Sequence, residues 1–134
     1  MPNLVRTLLS NTSGQVAVTG DPIPTNGPWR PLDGVHTVAV TVQAFHGRVL
    51  IEATLVEEPT DVDWFPIRLS GTGDALEFPF PEDITTGTTG TFAFTFRGRF
   101  RWLRARMDRN NIAPPPDPSQ IDLYGHVERI VLAR

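Results

Sequence analysis

The chain has 134 residues, 40% of them hydrophobic and 20% charged, with a formal net charge of -3. That is long enough for one domain with a core and too short for two, and it is globular rather than disordered in composition. The negative balance argues against a dedicated nucleic-acid binder, whose phosphate affinity comes from excess positive charge.

All twelve basic residues are arginine. Arginine pairs bidentately with carboxylates and stacks on aromatic rings, so this choice suits ion-paired protein contacts; a bias toward arginine codons explains it equally well. There is no cysteine, hence no disulfide framework and no thiolate chemistry. No apolar run is long enough for a signal peptide or a bilayer span, so the expectation is synthesis in the cytoplasm and no membrane partner.

In chain order, LVRTLLS (4–10) and QVAVTG (15–20) are the first strand candidates, and residues 1–20 read as a strand region or an arm. VHTVAVTVQA (35–44) alternates Val38, Val40 and Val42 against Thr37, Thr41 and Gln43. RVLIEATLV (48–56) sets Val49, Ile51, Ala53 and Leu55 against Glu52 and Thr54. The intervening Phe45-His46-Gly47 predicts a β-hairpin joining these two runs. WFPIRLS (64–70) offers Phe65, Ile67 and Leu69, with Pro66 demoting it to an edge or a bulge. TTGTTGT (85–91) reads as a flexible or turn segment, and TFAFTFR (91–97) aligns Phe92, Phe94 and Phe96 on one face.

The stretch FTFRGRFRWLRARMDR (94–109) interleaves Arg97, Arg99, Arg101, Arg104, Arg106 and Arg109 with aromatic residues. Its apolar positions are even as far as Trp102 and odd from Leu103 to Met107, and one flat strand cannot bury both sets. The expectation is a bend at Gly98, a bulge or twist near Trp102-Leu103, and outward Arg104 and Arg106 beside inward Leu103, Ala105 and Met107. The six arginines are candidate contacts to a neighbouring subunit or other protein partner rather than a nucleic-acid stripe. APPPDPS (113–119) predicts a stiff extended connector, and HVERIVLAR (126–134) a closing strand. With no convincing helical repeat, the prediction is all-β: one antiparallel β-sandwich or jelly-roll-like domain over 1–134, of about eight strands.

Reactive constellations are sparse. His36, His46 and His126 have no metal-ligand spacing, and Ser10, Ser13, Ser70 and Ser119 lie in turn-like contexts without a nucleophile elbow. Asp61 and Asp63 lack the rest of a calcium loop. Glu77, Glu82 and Asp83 are not posed as a hydrolytic pair. The expectation is no enzyme, no cofactor and no metal. Trp64 and Trp102 are candidate exposed aromatics, alongside Trp29 and Tyr124, and leave a sugar-stacking platform open.

From Gly47 to Arg106 the layout becomes recognisable. The strand GRVLIEATL leads to DWFPIRL, then a Gly/Thr-rich segment, FRGRFRWLRARM and a closing strand. This resembles small β-sandwich proteins from the structural gene clusters of tailed bacteriophages. The resemblance departs at Asp108 to Ser119, where a longer proline-rich connector replaces a short turn. It implies a non-enzymatic virion component, first of all a capsid decoration or cement protein. Such a protein would form a homo-oligomer, a trimer favoured, whose partners are the major capsid protein or other virion proteins. A tail, neck or fibre-base component is the alternative within the virion. A carbohydrate-binding module or adhesin is the alternative from another class.

Overall fold

The computed structural model describes residues 5–25, 34–69, 73–112 and 117–133. Within them ten strands form: β1 (Val5–Ser10), β2 (Val18–Thr19), β3 (Ile23–Pro24), β4 (Val35–Phe45), β5 (Gly47–Thr54), β6 (Phe65–Pro66), β7 (Leu76–Phe78), β8 (Thr88–Arg97), β9 (Trp102–Asp108) and β10 (His126–Ala133). Three short 3-10 segments, Asp61–Asp63, Pro81–Asp83 and Pro118–Tyr124, punctuate the connections. Trp29, Ser70 and most of the proline-rich connector lie outside the described residues.

All pairings are antiparallel, and the strands divide between two sheets. The first, sheet A, has the order β1-β10-β4-β8. In the second, sheet B, β9 and β5 lie at the centre; β2 and β3 both pair with the outer side of β9, and β6 and β7 both pair with β5. Counting each interrupted edge as one strand gives two four-stranded layers and eight strand positions. With the chain switching sheets at most connections, this order is that of a jelly roll. The expected all-β sandwich is the observed fold.

The core lies between the layers and follows from period-two alternation. Sheet A contributes Val38, Val40, Val42, Phe96, Val127, Ile130 and Leu132; sheet B contributes Val49, Ile51, Ala53, Leu103, Ala105 and Met107. Phe92 and Phe94 point the same way but are only half-buried, because β8 is the edge of its sheet.

Four expectations require correction. The hairpin at Phe45-His46-Gly47 does not exist, since β4 belongs to sheet A and β5 to sheet B. A bulge between Val42 and Phe45 and a left-handed Ala44 (φ 48°) turn the chain across the sandwich instead. The His46 N–H then donates to the Tyr124 carbonyl, not back to β4. Gly87 and Gly125, both at positive φ, pack so closely on the Ala44 carbonyl that a Cβ on either would collide with it. Leu55, assigned inward, lies beyond the end of β5 and is 66% exposed. The second half of TTGTTGT is the start of β8 rather than a turn. Finally, β9 pairs with β5 in unbroken register from Trp102 to Asp108, so no bulge interrupts Trp102-Leu103. The phase change is completed in the loop 98–101, which leaves Phe100 against the core and Trp102 on the polar face.

Candidate interaction surfaces

The outer face of sheet B carries Arg104 and Arg106 of the six arginines singled out in the sequence. Leu103, Ala105 and Met107 are fully buried, so Arg104 and Arg106 project to the other side, as the alternation requires. Opposite Arg104 in the ladder stands Glu52. Arg104 Nε donates to Glu52 Oε1 at 2.8 Å, and Arg106 Nη2 lies 3.6 Å from Oε2. The two guanidinium groups cover the carboxylate, which is why Glu52 is buried although it sits on the outward face. The Arg104 guanidinium also lies 4.1 Å over the centre of the Trp64 ring, a cation–π contact.

Further along the same face, Arg48 grips Asp108 with two hydrogen bonds, of 2.6 and 3.2 Å. Burial works to raise the Asp108 pKa. The Arg48 hydrogen bond, the Asn110 N–H and the charges of Arg48 and Arg106 outweigh it and hold the carboxyl below its usual range. The same hydrogen bond raises Arg48. At the opposite end Arg101 pairs with Glu57 at 2.7 Å, and Trp102 Nε1–H donates to the Glu57 carbonyl at 2.9 Å. Trp64 and Trp102 are thus half-buried and engaged within the chain, not a free stacking platform.

Arg109 does not belong to this surface. It is 1% exposed, and its guanidinium donates to the carbonyls of Gln15, His46, Tyr124 and Gly125 at 2.8 to 3.1 Å while lying over Phe45. Burial pushes it below the usual arginine value. It ties three chain segments together from inside and is withdrawn from any partner. Arg97 and Arg99 are exposed, and among the described residues neither has an ion-pair partner. The six arginines therefore divide among sheet A, the crossing loop, sheet B and the interior.

Other polar candidates have structural occupations. Asp63 accepts from the N–H and hydroxyl of Thr60, closing the first turn of a 3-10 segment. His36 is buried, bonded to the Gly98 carbonyl and stacked on Phe96. His126 pairs with Glu128. Ser13 and Ser119 donate to Asn11 and Asp117 two residues away. A cleft of about 370 Å³ between β1 and residues 15–21 is lined by Thr7, Ser10, Asn11, Gln15 and Asp21 among others.

The outer face of sheet A is the surface that the sequence reading missed. Its register aligns three rows across four strands: Val5–Ala133–Thr37–Thr95, Thr7–Val131–Ala39–Ala93 and Ser10–Arg129–Thr41–Thr91. Arg129 is the sole charge in these twelve positions. Thr37 and Thr95, and likewise Thr41 and Thr91, hydrogen-bond through their hydroxyls at 3.0 Å. At ~4.8 Å between strands and ~6.8 Å between rows, the face covers about 400 Å². Small β-branched and alanine side chains keep it level. The signal was visible in the repeated pattern of TVAVT (37–41) and TFAFT (91–95), whose polar positions look like ordinary solvent-facing residues until the register places them side by side.

No family model matches this chain, and no curated protein or solved structure matches it.

Proposed function

We propose that the chain is a non-enzymatic virion structural protein of a tailed bacteriophage, a capsid decoration or cement protein that reinforces the head lattice. The observation that carries this reading is the outer face of sheet A, broad and level, whose three central rows hold the single charge Arg129, on a sandwich whose reactive side chains are largely engaged with one another. Such a face fits a flat protein surface rather than a small substrate. The resemblance over Gly47 to Arg106 points the same way: DWFPI and RWLRAR meet through Trp64, Arg104 and Glu52. The jelly roll is a fold used by viral capsid and lectin domains and selects neither by itself.

The mechanism is bridging. A face of about 400 Å² is half of what one partner contributes to a standard stable interface, so a single contact is weak. An oligomer that seats several such faces on a repeating shell converts later contacts into intramolecular ones and gains avidity. Purified protein mixed with empty capsid shells should co-sediment with them, and Ala39→Glu, placing a charge at the centre of the face, should abolish this while the fold stays intact. Equal sedimentation of wild type and variant would remove the face from the account. Binding to isolated tails instead of shells would move the assignment to the tail, neck or fibre-base alternative.

A further inference from the structure

We infer that β8 is a self-pairing edge, and that two copies of this chain join through it across a two-fold axis at Ala93, forming one continuous eight-stranded sheet. Among the described residues β8 pairs only with β4, so its far side is open. This is a ten-residue strand with no proline, no lysine and a single charge, Arg97, at its end. Edges of that kind invite another strand unless something blocks them.

The phase of the ladder identifies which groups face outward. Gly98 N–H donates to the Gly34 carbonyl at 2.9 Å, and these residues continue the register of Val35 with Arg97. Hydrogen-bonded and non-hydrogen-bonded pairs alternate in an antiparallel ladder. Val35–Arg97, Thr37–Thr95, Ala39–Ala93 and Thr41–Thr91 are therefore the non-bonded pairs. The 3.0 Å hydroxyl contacts at two of them agree with the closer side-chain approach of such pairs. It follows that the N–H and C=O groups of Thr91, Ala93 and Thr95 point away from β4, toward the open side.

The sequence over this edge is a palindrome, Thr91-Phe92-Ala93-Phe94-Thr95. Antiparallel pairing centred on Ala93 sets Thr91 against the second copy's Thr95, Ala93 against Ala93, and Phe92 against Phe94. Each outward-facing residue then exchanges both main-chain bonds with its counterpart, as hydrogen-bonded pairs do. The half-buried Phe92 and Phe94 gain aromatic cross-strand partners on the inner face. On the outer face the rows run straight through, Thr37–Thr95–Thr91–Thr41 and Ala39–Ala93–Ala93–Ala39. Shifting the register by two residues one way opposes Thr91 with Arg97, and the other way opposes Phe94 with Gly90; either shift forfeits the match. The dimer doubles the level face to about 800 Å², the amount one side of a standard interface buries.

This inference does not rest on the virion reading, because it concerns the isolated chain. Sedimentation equilibrium at micromolar concentration should give a dimer. Ala93→Lys and Ala93→Glu should each be monomeric, since like charges directly opposite are unfavourable, and a 1:1 mixture of the two should restore a heterodimer. The side chain of Ala93 is exposed and its main-chain groups are not used by β4, so the variants keep the strand signal in far-UV circular dichroism. Hydrogen exchange on the unmodified protein supplies a second reading. The amides of Thr91, Ala93 and Thr95 should be protected at least tenfold in the dimer relative to dilute protein. A wild-type monomer, a trimer indifferent to Ala93→Lys, or unprotected amides at those three positions would each overturn the inference.

Discussion

At the scale of single residues, the most consequential side chain is Arg109. The buried guanidinium holds four carbonyls and has no counterion among the described residues, and its stability comes from satisfying acceptors, three of which would otherwise be stranded. Arg109→Met should cost about 3 kcal/mol or more in urea denaturation, since the Gln15, His46 and Gly125 carbonyls lose this donor and each orphaned carbonyl costs roughly 1–3 kcal/mol. Arg109→Lys should recover little of that, because an ammonium cannot span the fork of acceptors. Asp108 gives a pH dependence whose sign is fixed. Its carboxyl is held below the usual 3.8 in the folded chain, so its contribution is present above that value and is lost as pH falls further, through the folded pKa. Asp108→Asn should flatten the acid limb of a stability-versus-pH curve below about pH 4; an unchanged limb would show the pair with Arg48 to be inert. None of this was readable from the sequence. Arg109 occurs in the same run as five other arginines, and only the crossing of chain segments at His46, Gln15 and Tyr124 distinguishes it.

At the scale of elements, alternation carried most of the information. In β4 and β8 each residue's face was legible, because a half-buried strand writes its register in period two. In β9 the outward Arg104 and Arg106 beside inward Leu103, Ala105 and Met107 were legible for the same reason. What alternation does not encode is which strand pairs with which. β4 and β5 are consecutive and both amphipathic, and their separation into different sheets depends on the left-handed Ala44 and on neighbours far along the chain. The same limit hid the partners of the arginines. Glu52 reads as a solvent-facing glutamate until β9 is laid beside it. The contrast between ion pairs is therefore a test of placement. Glu52→Gln, at a covered carboxylate serving two guanidinium groups, should cost about 3 kcal/mol. Glu57→Gln, on an exposed pair, should cost less than about 1 kcal/mol by the same thermal or chemical denaturation. Equal losses would mean that the covered cluster is not the stronger tie.

At the scale of the whole molecule, the eight strand positions and the closed core were foreseeable from length, alternation and the spacing of glycine and proline. The surfaces were not, because a level face is a property of several strands in register. Sheet B locks its charges against one another and around Trp64, whereas sheet A leaves a plain of threonine, alanine and valine and, in β8, the longer of its two edges. That asymmetry is the basis for assigning assembly to sheet A and rigidity to sheet B. The inferred self-pairing of β8 has a two-fold axis where the resemblance implies a trimer, and it would cover the longer edge of sheet A. A decoration protein is defined by where it resides. Imaging any virions made by the genome that encodes this chain, with copy number from quantitative mass spectrometry, tests the proposed function directly. The account predicts many copies arrayed over the head with the outer face of sheet A against the shell. Six or twelve copies at the neck or tail, or none in the particle, would contradict it.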